Sequence, residues 1–221
     1  LRLSLPPQRA PGERVSAATP APTSYSVQLV LPDAITQPLD EWATGAEGAS
    51  IPAAGWHITL LPSFVSRTGE ATLTALLAAV AARHMPYAVR LSRIELVADR
   101  TRNGYAAVFL AERDDGQNRR LHTLQADLAE SLAPLRTATQ PGLNGAPFTP
   151  HVSLALAVSE KEGERLASLA RRAGLTLEFE ADAFWLFRRV ELTTGEVDLS
   201  RRRFGLGDPG EANESPHRGS G

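Results

Sequence analysis

The chain has 221 residues, 43% apolar and 22% charged, which is enough for one substantial core. Its formal net charge of -2 supplies no global field for a polyanion, so a long nucleic-acid duplex is disfavoured as a partner. With no cysteine, disulfides, thiolate zinc sites and a cysteine nucleophile are excluded, and no apolar run reaches the length of a membrane span.

Residues 1–23 contain Pro6, Pro7, Pro11, Pro20 and Pro22 and lack the apolar run of a signal peptide. A disordered segment and a cytoplasmic protein are expected. Residues 25–31 read as a first strand, stopped by Pro32, and residues 33–42 as a short helix. A loop over 43–55, with Gly45, Gly48, Pro52 and Gly55, leads into a strand that starts at His57 and is expected to end at Pro62. Leu73, Leu76, Leu77 and Val80 have helical spacing, so a helix is predicted over 69–84, closed by Pro86.

Tyr87, Val89 and Leu91 alternate as in a strand, and Ile94 and Leu96 continue in the opposite phase, which predicts a bulge or kink near Ser92. Asn103-Gly104 is a turn signal before a partner strand at 105–111. Leu121, Leu124, Leu128, Leu132 and Leu135 mark the longest helix; residues 137–150, rich in Gly, Pro and Asn, read as loop. A strand at 151–158 follows. Ser159-Glu160-Lys161-Glu162 has the form of a capping box for a helix to about residue 173. Strands are expected at 175–179, 184–192 and 197–199, the last two around Thr194-Gly195. Residues 205–221 are rich in Gly, Pro, Glu and Ser and are expected to be a disordered tail, which leaves 24–200 as one bilobal domain.

Two stretches read almost alike: Trp56-His57-Ile58-Thr59-Leu60 and Pro150-His151-Val152-Ser153-Leu154. Alternate residues of a strand share a face, so His57 and Thr59 point one way while Ile58 and Leu60 enter a core, and His151 and Ser153 oppose Val152 and Leu154 in the same manner. One such unit has a structural residue as its ordinary explanation. Two among five histidines is an accident of order one in a thousand from residue frequencies. The surrounding order also repeats: strand, helix, long loop, histidine strand, helix, strand, with 25–97 matching 105–179. Two lobes about a pseudo-twofold axis are expected, each giving one histidine and one hydroxyl to a shared groove.

The other histidines read as structural or solvated: His84 at a helix end, His122 on a helix face between leucines, and His217 in the tail. No third ligand stands at metal-ligand spacing from His57 or His151, so no metal is expected. There is no GxSxG elbow and no glycine-rich phosphate loop. Two facing imidazoles, with an ordinary pKa near 6.5, can divide base and acid work at neutrality. Hydroxyls of Thr59 and Ser153 can donate to non-bridging phosphate oxygens. The set suits in-line displacement at phosphorus.

The paired HxTL and HxSL units, the helix after each, and the lead-in Phe148-Thr149-Pro150-His151 resemble the 2H phosphoesterase superfamily, in particular its 2′-5′ RNA ligase and RNA 2′,3′-cyclic phosphodiesterase members. The resemblance runs over residues 25–199. It implies an α+β bilobal fold with two antiparallel sheets around a groove, catalytic His57, His151, Thr59 and Ser153, no cofactor, and RNA 3′ ends or small cyclic nucleotides as partners of a monomer. It implies hydrolysis of a 2′,3′-cyclic phosphate to a 2′-phosphate, with His151 activating water and His57 protonating the 3′ oxygen. Ligation through the reverse reaction and a binding module with little turnover are the alternatives. Close relatives carry an arginine where this chain has Leu156, and the first motif continues as Leu61-Pro62-Ser63-Phe64, a divergent form. Trp56 and Phe148 flank the histidines; base stacking, worth about 1–3 kcal/mol, and core packing are both open to them.

Overall fold

The computed structural model describes residues 23–49, 51–52, 54–98, 105–113, 116–139, 147–192, 196–207 and 213–215. The proline-rich segment 1–22, Asn103-Gly104, Thr194-Gly195 and His217 lie outside them. The first half of the chain forms β1 (Ser24–Val30), α1 (Asp33–Gly45), β2 (His57–Ser66), α2 (Glu70–Ala81), β3 (Tyr87–Leu91) and β4 (Arg93–Ala98). The second half forms β5 (Tyr105–Ala111), α3 (Arg119–Leu132), β6 (Arg136–Ala138), β7 (His151–Ser159), α4 (Glu160–Arg172), β8 (Leu177–Ala181), β9 (Ala183–Glu191), β10 (Val197–Gly205) and β11 (Asn213–Ser215). This is the expected α+β fold of antiparallel sheets and helices.

The expected repeat is present in the pairing, but the lobes are not contiguous halves of the chain. Strand order is β11-β10-β9-β1-β2-β7-β5-β4, with β6 beside β2. β9, from the end of the chain, completes the sheet of β1 and β2, while β4, from the first half, completes the sheet of β5 and β7. Each half therefore lends a strand to the other lobe. The halves meet where β2 and β7 pair at Ile58 and Val152, and again in a separate two-stranded sheet where β3 pairs with β8, Val89 opposite Phe179. Each junction pairs a strand with its own equivalent, as a twofold axis requires.

The correspondence extends to irregularities. β1 pairs β2 with Val30 opposite His57, Gln28 opposite Thr59 and Val27 opposite Leu61. β5 pairs β7 with Ala111 opposite His151, Phe109 opposite Ser153 and Val108 opposite Ala155. Both ladders therefore skip one residue after the hydroxyl, Leu60 or Leu154, and both slip again three residues on. These bulges bury Leu60 with Leu61 and Leu154 with Ala155, side by side. They also explain why β2 runs through Pro62 instead of ending there: the second slip falls between Leu61 and Phe64, where a missing N–H costs no ladder bond.

α4 packs on β4, β5 and β7, and Gly163 makes the approach possible, since a Cβ there would lie 2.7 Å from Leu96 Cδ1. Ser159 caps it as read, accepting from the Glu162 N–H at 3.3 Å, although the Glu162 carboxylate pairs with Arg165 rather than closing the box. Three expectations need correction. Residues 137 and 138, in the expected loop, belong to β6 against β2 because Thr139 and Arg67 tie the segment down through Ser63 and Leu135 carbonyls. The kink at Ser92 is a change of sheet, from β3 to β4. Part of the stretch expected to be tail from 205 is ordered: Gly205 ends β10, Leu206 is buried, and 213–215 pair with β10.

Candidate active site

His57 and His151 open β2 and β7, immediately beside the junction of the two lobes. Ile58 and Val152 are fully buried there, so the residues on either side of each must face outward. The antiparallel sense sets His57 beside Ser153 and Thr59 beside His151. One bridge thus gathers both imidazoles and both hydroxyls.

The strand entries are fixed in the same way. The Leu31 N–H donates to the Trp56 carbonyl, and its counterpart, the Glu112 N–H, donates to the Pro150 carbonyl, both at 3.0 Å. The carbonyl one residue earlier then meets the ring: His57 Nδ1 donates to Gly55 O and His151 Nδ1 to Thr149 O, each at 2.7 Å. A carbonyl can only accept, so both rings carry the proton on Nδ1 when neutral and keep Nε2 for the substrate. Gly55 has φ 77°, a left-handed conformation that suits glycine.

The environments of the two rings differ. Burial pushes both below the usual histidine pKa, against the carbonyl bond that raises each. The charge of His151 lowers His57 further, whereas Glu95 raises His151. Glu95 lies on β4 opposite Phe109, which lies opposite Ser153, and the Phe109 ring stacks on His151 at 4.0 Å between centroids. On the other lobe the position equivalent to Phe109 is Gln28, followed across β9 by Trp185, over whose ring Arg201 sits at 4.8 Å. The sequence reading missed Glu95, Phe109, Gln28 and Trp185. Their signal is a register, two strands away, that no local spacing reveals.

Of the two aromatics open to both base stacking and core packing, Trp56 packs in the core. It is 3% exposed and its indole N–H donates to Asp40 Oδ1 at 2.8 Å, because the residue before His57 points to the core side. Phe148 stays half-buried, edge-on to His122 at 5.3 Å, on the wall of a pocket. His122 is more than a solvated side chain: it meets Glu112 at 2.7 Å on that same pocket. His84 is structural, bonded to Asp127 at 2.8 Å. Leu156 is 52% exposed, next to Ala157 at φ 53° in the bulge. Among the described residues no three His, Asp or Glu side chains group as a metal site, and no helix is long and apolar enough to cross a membrane.

The sequence pattern of the 2′-5′ RNA ligase superfamily matches residues 31–192. The chain belongs to this superfamily. Solved structures agree on the fold. Escherichia coli LigT complexed with phosphate is 18% identical with a TM-score of 0.54, covering 84% of this chain and 98% of its own. LigT complexed with 3′-AMP is 17% identical with a TM-score of 0.51, at the same coverages. TT0787 of Thermus thermophilus is 20% identical with a TM-score of 0.53, covering 83% and 98%. No curated protein sequence matches the chain. The superfamily joins phosphoesterases and ligases, so this member is placed among enzymes of phosphoester chemistry by its 2H pattern.

Proposed function

We propose that this protein is a metal-independent cyclic phosphodiesterase that opens a 2′,3′-cyclic phosphate, at an RNA end or on a nucleotide, to a 2′-phosphate. The observation that carries the reading is the duplicated contact of His57 Nδ1 with Gly55 O and His151 Nδ1 with Thr149 O, which presents two Nε2 atoms at one junction. His151 Nε2 takes a proton from water as its oxygen bonds to phosphorus. His57 gives a proton to the 3′ oxygen as the bond from phosphorus to it breaks. Glu95 favours the imidazolium that forms on His151 as the proton from water arrives.

Thr59 and Ser153 hold the non-bridging oxygens between the lobes through their hydroxyls, which donate to the charge that shifts during transfer. Complexes of LigT with phosphate and 3′-AMP support a nucleotide as the ligand class. The reading extends to a cytoplasmic monomer without cofactor, acting on RNA 3′ ends or small cyclic nucleotides. Ligation by the reverse reaction uses the same groups. Incubation in EDTA with the four nucleoside 2′,3′-cyclic monophosphates and a short RNA ending in a cyclic phosphate tests it. Hydrolysis is expected; ligand binding without turnover would make the protein a binding module.

A further inference from the structure

Beside His151 lies a pocket of about 320 Å³ lined by Arg93, Glu112, Arg113, His122, Phe148 and Thr149. Its position follows from the sheet. Arg93 on β4 is opposite Ala111, and Ala111 is opposite His151, so Arg93 and His151 share a row and a face two strands apart. At roughly 4.8 Å per strand that is about 10 Å, the separation of a cyclic phosphate from the far edge of its base. Thr149, whose carbonyl holds His151, belongs to the same wall.

The lining is chemically mixed. Glu112 is only 13% exposed at its side chain, and its two carboxylate oxygens are anchored separately, Oε1 by His122 at 2.7 Å and Oε2 by Asn118 at 3.2 Å. Asn118 is itself buried and held to the Arg90 backbone, accepting from its N–H at 3.0 Å and donating to its carbonyl at 2.8 Å. Arg93 is fixed by donation to the Glu112 carbonyl at 3.0 Å and by Glu95 at 3.2 Å. The Glu112 carboxylate sets an acceptor into the wall beside the arginines, which a second phosphate, itself all acceptor, would not use. A flat, neutral ligand with donors on one edge and acceptors on another fits the set, with Phe148 offering a stacking face.

We infer that this pocket is a guanine subsite: guanidinium groups of Arg93 and Arg113 donate to O6 and N7, and Glu112 accepts from N1–H and N2–H. Guanine alone among the four bases offers two acceptors to an arginine fork and two donors to a carboxylate. The inference rests on the phosphodiesterase reading above for the location of the phosphate, and deepens it by naming the base.

The test compares kcat/KM in EDTA for guanosine, adenosine, cytidine and uridine 2′,3′-cyclic monophosphates. Guanosine is expected to exceed adenosine by roughly five- to a hundredfold, the discrimination of a bidentate pair. Glu112→Gln and Phe148→Leu, checked for native melting, are expected to collapse that ratio, Glu112→Gln the more. Equal rates for all four bases, or an unchanged ratio in Glu112→Gln, would overturn the subsite. If no base is turned over, the reaction assignment fails instead, and calorimetric binding of the four nucleoside 2′-monophosphates decides the subsite: guanosine tightest supports it, and no order among bases rejects it.

Discussion

Ile58 and Val152 are paired across the seam between β2 and β7, both fully buried, and each is flanked by a histidine on one side and a hydroxyl residue on the other. Core packing at this pair therefore sets the spacing of the two histidines and the two hydroxyls. Ile58→Ala is expected to cost about 2–5 kcal/mol in stability by removing buried methyl groups and leaving a cavity. Ile58→Val should cost only about 0.5–1.5 kcal/mol. Denaturant melts of both, with turnover measured well below the midpoint, check whether activity falls along with packing at the seam.

The pH dependence follows from burial. His57 and His151 are both held below 6.5 in the folded protein, and the proposed mechanism needs one neutral and one protonated ring. Turnover is expected to peak on the acid side of 6.5 and to decline as pH rises and the protonated ring is lost. Stability moves the opposite way. The unfolded chain binds protons at these rings first, so stability is full above about 6.5 and is lost as pH falls through the folded values. His57→Gln and His151→Gln should flatten that loss in melts recorded across the acid range.

Glu95 gives a directed shift. Its carboxylate raises His151, so Glu95→Gln is expected to move the limb governed by His151 to lower pH and to slow turnover at neutral pH. A pH–rate profile of this variant checks the base assignment. An unmoved profile would dissociate Glu95 from His151.

Trp56 separates the motif from the groove. Its indole N–H bond to Asp40 lies on the core side, so Trp56→Phe is expected to lower stability by about 0.5–1.5 kcal/mol for the lost hydrogen bond, with turnover close to that of the wild type. Thermal melts and a single-substrate assay measure both.

What local chemistry determines was legible from the residues. The period-2 pattern of Ile58 and Leu60, four of the five helix leucines (Leu121, Leu124, Leu128 and Leu132) and the Ser159 cap match the structure, while Leu135 falls in a 3-10 turn beyond the end of α3. What depends on which strand lies beside which was not. The exchange of β4 and β9 between lobes is set by tertiary pairing that leaves no mark in either strand's own pattern. Glu95 alternates with Ile94 and Leu96 like any outward residue of an edge strand, and only its register to Phe109 and Ser153 brings it toward His151. Pro62 misled in the opposite sense, since a bulge absorbs the donor that proline lacks.

The most direct measurement is phosphorus NMR of the product of a nucleoside 2′,3′-cyclic monophosphate incubated in EDTA with the wild type, His57→Ala and His151→Ala. A 2′-phosphate from the wild type, with turnover reduced by about a hundredfold or more in each variant and nucleotide binding retained, is the predicted result. A 3′-phosphate product would contradict the 3′ oxygen as the leaving group, and either variant turning over at the wild-type rate would contradict the two-histidine mechanism.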